Sequence, residues 1–182
     1  MTRLELWNGD ICVLEVDAIV SPVGPSLWMS TGVAGAIKRA AGDLIEFAAV
    51  RQGPREVGEA VITGGGALAA RAVIHAVSLD RDHRTTGPAL EAAVRSAMAL
   101  AREMMATSVA FPALGTGIGG YPLEEAAAIT VATVRDELAR NGVIEHVVFA
   151  LRGAATYEAF RLALLEEEAA EGAHPPVEVA LK

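Results

Sequence analysis

The second half of this chain alternates short apolar segments with amphipathic ones, and this alternation limits the folds open to it. Ser108–Phe111 and His146–Leu151 have the composition of buried strands. A helical pattern follows each of them, one opening at Pro122 and one over Thr156–Glu168. Strands joined through helices run parallel and need helices on both sheet faces. The predicted fold class is therefore α/β, a three-layer α/β/α sandwich with a mixed central sheet.

The first half predicts further strands and helices. Apolar runs at 4–6 and 13–20 indicate two early strands that pair with each other. A helix is expected directly behind Gly32. Glu59–Thr63 and Ala72–Val77, joined through a glycine-rich turn, predict a hairpin-like pair. No linker between these segments is long enough to divide the chain into domains.

The chain has 182 residues, of which 52% are hydrophobic, and this is the length of one domain. Such a chain can bury roughly 70% of its unfolded surface, which is enough for a core without disulfides or a structural metal. Residues 1–168 are expected to form the domain. Residues 169–182, with Gly172, Pro175 and Pro176, are expected to be a C-terminal surface tail.

Targeting and metal signals are missing from the sequence. No apolar run approaches the roughly 20 residues that a membrane span requires. Polar residues near the N-terminus interrupt any signal-peptide core, so a cytoplasmic location is expected. Cys12 is the only cysteine, and the four histidines share no metal-ligand spacing with it. We expect no disulfide, metal or cofactor, and we expect His75, within an apolar strand, to be a core residue.

The balance of acidic and basic residues limits the classes of partner that the chain is expected to bind. Fifteen Lys and Arg against 23 Asp and Glu give a net charge of -8. Nucleic-acid binding relies on basic side chains that displace phosphate counterions, so nonspecific nucleic-acid binding is not expected. An anionic ligand has to be held locally, against the overall field.

Two loops place glycine immediately before a helix. Ser30–Gly32 precedes the helix from Val33, and Gly115–Gly120 precedes the helix from Pro122. Helix N-termini present free N–H groups and partial positive charge, and glycine lets phosphate oxygens approach the backbone. Glycine also simply makes tight turns, and for the first loop both interpretations stay open. In the second loop, four glycines in six positions favour a ligand.

Other ligand signatures fit less well. Gly115, Gly117 and Gly120 match the G-x-G-x-x-G pattern, but Pro122 intervenes before the helix and the next strand ends at Arg152 rather than at an acidic residue. A nicotinamide enzyme is therefore the weaker alternative. Neither a P-loop lysine motif nor a G-x-S-x-G serine elbow is present in the sequence.

Five segments, in this order and spacing, resemble the macrodomain, the ADP-ribose-binding module. They are GDI at 9–11, DAIV at 17–20, TGVAGAIKRAAG at 31–42, VIHAV at 73–77 and FPALGTGIGGYPLEEAA at 111–127. The resemblance extends over residues 1–168 and implies a mixed sheet in an α/β/α sandwich. It also implies a single cleft for ADP-ribose.

The resemblance implies a role for individual positions. Asp10, which by its local sequence alone fits a solvated turn carboxylate, matches the family's adenine-binding aspartate, and Ile11 its neighbouring backbone contact. The loop along the diphosphate and distal ribose corresponds to Thr31, Gly32 and Val33, preceded by Ser30. The second phosphate loop corresponds to Gly115, Thr116, Gly117, Ile118, Gly119 and Tyr121.

The chain departs from hydrolytic members of that family at two places. Their N-A-A-N segment is Ser21-Pro22-Val23-Gly24 here, which leaves Gly24 where an asparagine would orient the ribose or a water. By this match, Ser21 and Gly24 are still expected to line the ligand site. Their G-G-G-V-D segment ends in Ala34 here, so the acidic residue is also absent. An aromatic residue that stacks on adenine is replaced by Arg152, whose guanidinium plane is also able to stack. Binding is expected, and the catalytic residues are unknown.

Two main functions follow from these positions. The first is recognition of ADP-ribose, free or as a terminal modification of a macromolecule. The alternative is hydrolysis of an ADP-ribose derivative, a mono-ADP-ribosyl ester, O-acetyl-ADP-ribose or the 1″-phosphate, by a substrate-assisted mechanism. A third possibility is a general nucleotide-diphosphate binder. No membrane partner is expected, and the oligomeric state stays open.

Overall fold

Strands and helices alternate along most of the chain in the computed structural model, which describes residues 2–140, 142–170 and 177–181. The strands are β1 (Thr2–Asn8), β2 (Ala18–Val23), β3 (Ala60–Gly64), β4 (Ala72–Val77), β5 (Ser108–Phe111), β6 (His146–Leu151) and β7 (Val177–Leu181). The helices are α1 (Gly32–Ala41), α2 (Leu44–Val50), α3 (Gly87–Glu103), α4 (Leu123–Ala139) and α5 (Ala154–Ala170), with a short 3₁₀ helix at Ile11–Val13.

Among the described residues, the strands form one sheet in the order β3-β4-β2-β5-β6-β1-β7. Only β3 and β4 pair antiparallel, and this confirms the predicted hairpin-like pair and the mixed sheet. The predicted pairing of β1 with β2 is wrong. Both strands run in the same direction, so a tight turn cannot join them as neighbours. Instead, β5 and β6 from later in the chain lie between them.

Alternating strand residues build two cores, one on each sheet face. Ala18 and Val20 of β2 belong to the core that α3, α4 and α5 cover. Ile19 and Val23 of the same strand belong to the core beneath α1 and α2. This period of two, with helices over both faces, confirms the predicted three-layer sandwich.

The C-terminal part of the chain differs from the predicted surface tail. Helix α5 continues to Ala170, and Val177–Leu181 adds β7 to the sheet as an edge strand parallel to β1. The remainder of the predicted tail, residues 171–176 and 182, lies outside the described residues. The sequence VEVAL alternates apolar and other residues in the manner of a strand, and β1 offers it unpaired backbone groups.

The sheet topology brings the predicted loops together. Strands β2, β5, β6 and β1 are neighbours and run parallel, so their carboxyl ends share one edge of the sheet. The segments that follow these strands contain Asp10, Gly24, Gly117 and Arg152. Ligands of α/β sheets bind at such an edge.

At the opposite edge, Asp17 holds the starts of three strands together. Its Oδ1 accepts a hydrogen bond from Arg71 Nη1 at 2.8 Å, just before β4. Its Oδ2 accepts from Thr107 N at 2.7 Å and from Ser108 N at 3.2 Å, at the start of β5. Burial opposes ionisation of this carboxyl, but the hydrogen bonds outweigh it and lower the pKa of Asp17 to about 2. Asp17 therefore stabilises the fold far from the predicted site.

We expect Asp17→Asn to lower the free energy of unfolding by about 2 kcal/mol at neutral pH. A carboxyl whose pKa falls on folding stabilises the protein above its unfolded pKa of about 3.9, and this stabilisation is lost as the pH falls through about 2. Urea denaturation between about pH 5 and about pH 2 should therefore show the two proteins converging in stability. The exposed Asp82→Asn is the control, with little expected change. A difference that stays constant with pH would contradict this role.

Candidate functional site

A cleft with two compartments runs along the edge formed by the carboxyl ends of β2, β5, β6 and β1. The Asp10 compartment has a volume of about 370 Å³, and the Trp28 compartment one of about 420 Å³. They meet at residues that line both, Gly32, Val33, Ala113 and Gly117. The Asp10 compartment is otherwise lined by Gly9, Asp10, Ile11, Ala36, Arg39, Pro112, Thr116, Ala150, Arg152 and Thr156. The Trp28 compartment is otherwise lined by Pro22, Val23, Gly24, Ser26, Trp28, Ser30, Thr31, Ala34, Leu79, His83, Gly115, Ile118 and Gly119.

Free backbone N–H groups concentrate where the compartments meet. Among the described residues, the N–H groups of 115–119 donate to no protein acceptor. The first turn of α1 leaves the N–H groups of residues 32–34 equally free, and the side chain of Thr31 does not cap this helix. A helix start adds partial positive charge to such donors. Two separate segments that line the cleft thus carry N–H groups that are available to an anion.

The glycines of the 115–120 segment have different reasons to be glycine. A Cβ on Gly119 would collide with Thr85 Oγ1, and one on Gly115 would lie 2.7 Å from Thr85 Cγ2. These two glycines are required by packing. A Cβ on Gly117 would meet no atom within 4 Å, and the φ of Gly117 is not left-handed. The fold does not require glycine there, but close approach of a ligand does.

Helix α4 does not contribute its N-terminus to the cleft. It begins at Leu123 behind Pro122, and neither residue lines a compartment. Its first turn carries Glu124 and Glu125, which neutralise the partial positive charge of the helix start. Of the two predicted helix starts, only that of α1 lines the cleft, together with the loop 115–119 and its own N–H groups.

Asp10 is an ionised acceptor at the wall of its compartment. Its Oδ1 accepts a hydrogen bond from Cys12 N at 3.0 Å, and its Oδ2 lies 2.9 Å from Arg152 Nη2. The Cys12 N–H, together with Arg152, lowers the pKa of Asp10 against a partial opposition from burial. The carboxylate remains 41% exposed, so it is accessible to a further donor. A ligand amine is suited to this position.

Arg152 lies over the same compartment and is 71% exposed. It follows β6 directly, and the next N–H, that of Gly153, donates to Asn8 Oδ1 at 3.3 Å. This contact joins the segment after β6 to the end of β1. Arg152 therefore lines the Asp10 compartment, where the resemblance places it in substitution of the family's aromatic residue, and its guanidinium is paired with Asp10.

The remaining reactive groups have no role in the cleft chemistry. Burial, followed by the neighbouring Asp10, raises the pKa of the Cys12 thiol to about 11, so it stays protonated and weakly nucleophilic. His75 is fully buried in β4, and burial lowers its pKa to about 4. Its Nε2 lies 2.9 Å from Thr63 Oγ1, in agreement with its prediction as a core residue.

Two further features are absent from the described residues. No group of three or more His, Cys, Asp or Glu in this part of the chain is arranged to hold a metal ion. None of the helices in the same residues is both long and apolar enough to cross a membrane.

The structure brings most of the predicted site residues into the cleft, and it excludes two of them. Ser21 is fully buried within β2, on the face beneath α1 and α2, and lines neither compartment. The Tyr121 hydroxyl donates to Glu125 Oε2 at 3.1 Å, outside the cleft. Both positions are corrections to the predicted set. The predicted residues that line the cleft are Asp10, Ile11, Gly24, Ser30, Thr31, Gly32, Val33, Gly115, Thr116, Gly117, Ile118, Gly119 and Arg152.

The lining residues that were not predicted include Trp28, Leu79 and His83. Trp28 is one of only two tryptophans in a chain with 4% aromatic residues, and it lies in a loop behind a strand end. The scarcity of aromatic residues marks Trp28 as a candidate site residue from the sequence alone. Leu79 and His83 belong to the segment between β4 and α3. Neither a periodic pattern nor a motif predicted which side chains of this segment line the cleft.

The Trp28 compartment has few groups capable of acid–base chemistry. Ala34 and Gly24 stand where the family pattern has side chains able to orient a water or a ribose. Of the described residues that line this compartment, His83 is the only titratable one. The arrangement is suited to binding through backbone donors, and it lacks a pair of catalytic carboxylates.

Comparisons with known proteins agree with this geometry. The family model described as Macro domain matches residues 20–130. A macro domain-containing protein of Xanthomonas axonopodis pv. citri is 42% identical over 176 residues, covering 92% of this chain and 98% of that protein. A protein of Salmonella gallinarum named O-acetyl-ADP-ribose deacetylase is 43% identical, covering 81% of this chain and 86% of its own. A Mycobacterium tuberculosis relative is 38% identical over 90% of this chain. The chain spans only 45% of the length of that relative.

Solved structures extend the likeness to the fold. The Oceanobacillus iheyensis macrodomain with ADP superposes with a TM-score of 0.83 at 29% identity, covering 91% of this chain and 92% of that one. The Trypanosoma brucei macrodomain in complex with ADP-ribose gives 0.83 at 29% identity, covering 89% of this chain and 69% of that one. By the family match and by the extent of these likenesses, the chain belongs to the macro domain family.

Proposed function

We propose that this chain binds ADP-ribose across the two compartments. The adenosine lies in the Asp10 compartment, where the carboxylate accepts from the exocyclic amine of adenine. The diphosphate lies between the first turn of α1 and the loop 115–119, and the distal ribose enters the Trp28 compartment. One observation carries the proposal, namely the free N–H groups of two separate segments at the point where the compartments meet. The ADP and ADP-ribose complexes of the structural neighbours support it.

The same cleft accommodates a terminal ADP-ribosyl group on a macromolecule. Free ADP-ribose and the attached form share the adenosine, the diphosphate and the distal ribose. The compartments open to solvent between residues such as Trp28 and Ile118, which are 53% and 58% exposed. An attached chain therefore has a route out of the Trp28 compartment.

Hydrolysis of an ADP-ribose derivative is the second candidate function. The 43% identity to the Salmonella gallinarum protein named O-acetyl-ADP-ribose deacetylase favours it. The side chains at positions 24 and 34 argue against it, because glycine and alanine cannot orient a water or take up a proton. Processing of the ADP-ribose 1″-phosphate faces the same difficulty. We therefore place binding first and hydrolysis second.

Calorimetry followed by a turnover assay on the same sample tests both functions. We expect one molecule of ADP-ribose to bind, at least about 5-fold more tightly than ADP, because only ADP-ribose has a distal ribose that enters the Trp28 compartment. We expect O-acetyl-ADP-ribose and a mono-ADP-ribosylated protein to be cleaved no faster than in buffer. Equal affinities for ADP and ADP-ribose would remove the distal ribose from the proposal. Turnover above the buffer rate would put the hydrolase first.

A further inference from the structure

The Trp28 compartment is larger than the group assigned to it so far. Its volume is about 420 Å³, against about 370 Å³ for the Asp10 compartment. In the proposed binding mode, on which this inference rests, the larger compartment receives a ribose and the smaller one receives a whole adenosine. The Trp28 compartment therefore has room for more than the distal ribose.

Part of this space arises at Gly24. A Cβ at this position would meet a single neighbouring atom, the backbone oxygen of Asp80 at 3.8 Å, so the surroundings of Gly24 are open. Pro22, Leu79 and His83 line the same compartment. Gly24 itself lines the compartment and adds no side chain to it.

An aromatic side chain lines the same compartment. Trp28 is 53% exposed, which is unusual for so large an apolar group. The residue before it is fixed, because Leu27 is fully buried and its N–H donates to Gly24 O at 2.9 Å. Leu27 adopts a left-handed φ of 64°, a strained conformation that non-glycine residues seldom keep without a local reason. The turn thus holds Trp28 at the compartment while Leu27 anchors it in the core.

The indole of Trp28 makes this end suited to a cation, since no described lining residue carries a permanent charge that would hold an additional anion. Among the described residues, no Lys, Arg, Asp or Glu lines the Trp28 compartment, so an additional phosphate would find no permanent positive charge there. The face of an indole attracts cations, and planar ones also stack on it. The net charge of -8 attracts cations over longer distances.

We propose that the outer part of the Trp28 compartment receives a planar cation joined through nitrogen to C1″ of the distal ribose, stacked on Trp28. Two sources share this chemistry. One is the nicotinamide ring of NAD⁺, and the other is the guanidinium of an ADP-ribosylated arginine. Adenosine and diphosphate contacts are common to both and to ADP-ribose itself.

Calorimetry with NAD⁺, NADH, ADP-ribose and an ADP-ribosylated arginine peptide tests this subsite. NADH serves as the charge control, because its reduced ring is neutral. We expect the wild type to bind NAD⁺ or the peptide more tightly than NADH, and Trp28→Ala to weaken that cationic ligand by about 5- to 30-fold. ADP-ribose affinity should fall by a smaller factor in the same variant, because Trp28 lines the compartment that its distal ribose enters but its C1″ carries no cation to stack on the indole. Trp28→Phe should recover part of the loss, and Phe47→Ala, an exposed aromatic outside the cleft, should have no effect.

Each outcome bears on the subsite separately from ADP-ribose binding. A Trp28-dependent gain for NAD⁺ alone assigns the subsite to nicotinamide, and a gain for the peptide alone assigns it to arginine. ADP-ribose binding without any Trp28-dependent preference for a cation would overturn the subsite and leave the proposed function intact. Failure of all four ligands to bind the folded wild type would overturn both.

Discussion

Gly117→Glu is expected to abolish ADP-ribose binding, with a loss of at least about 100-fold, and to leave the protein folded. Gly117 lines both compartments, so a side chain there enters the cleft where the diphosphate is proposed to lie. The new Cβ has no neighbour within 4 Å, and the backbone is not left-handed, so the fold tolerates the substitution. The added carboxylate repels the phosphates and fills the space they need.

A matched control exists at Gly64, the last residue of β3. A Cβ there also meets no atom within 4 Å, and Gly64 lies outside both compartments. Gly64→Glu adds the same charge and should retain full affinity. Thermal denaturation and calorimetry on both variants separate folding from binding. If Gly117→Glu still binds ADP-ribose at the wild-type level, the loop 115–119 is not the anion site.

Asp10→Ala is expected to weaken ADP-ribose binding by about 10- to 100-fold, because a hydrogen bond to a charged acceptor is lost. The loss should be specific to the base. An analogue with hypoxanthine in place of adenine carries no exocyclic amine, so its affinity should change little in the variant. The pKa of Asp10 is lowered, first by the Cys12 N–H, and the carboxylate is thus ionised throughout the neutral range. Adenine preference should accordingly be constant with pH there.

Two further variants make the Asp10 result decisive. Asp82→Ala removes an exposed carboxylate outside the cleft and should leave the affinity unchanged. Asp10→Asn keeps an oxygen acceptor for Cys12 N–H but loses the charge, so its affinity should fall between those of the wild type and Asp10→Ala. The lost Arg152 ion pair is exposed and contributes little to folding. An unchanged preference for adenine over hypoxanthine in Asp10→Ala would place the base elsewhere.

Local patterns predicted the elements of the fold better than their pairing. The boundaries of β5 and β6 agree with the apolar runs at Ser108–Phe111 and His146–Leu151, because buried strands are marked by their own composition. The neighbours of β1 are not encoded locally. They come from β6 and β7, far along the chain, and only the completed sheet selects them.

The site was predictable where the backbone carries the function. Glycine-rich segments indicate an unusual backbone conformation, and the residues from Gly115 to Gly119 all line the cleft. Side-chain direction was harder to predict. Ser21 lies close to the end of β2 but points into the core under α1 and α2, and Tyr121 turns to Glu125. The positions of loop residues such as His83 depend on the path of the loop backbone, which no periodic sequence pattern predicts.

The free N–H groups of 115–119 and of the start of α1 belong to the backbone, and this affects how the sequence of such a chain can change during evolution. Every residue except proline supplies the same N–H, so in the proposed binding mode the anion contacts do not depend on the side chains of Thr116 and Ile118, whereas packing requires glycine at 115 and 119. Ligand binding by the backbone and catalysis by side chains can then be retained or lost independently. A lineage that loses its reactive side chains retains a working receptor, and one that regains them needs no new binding site.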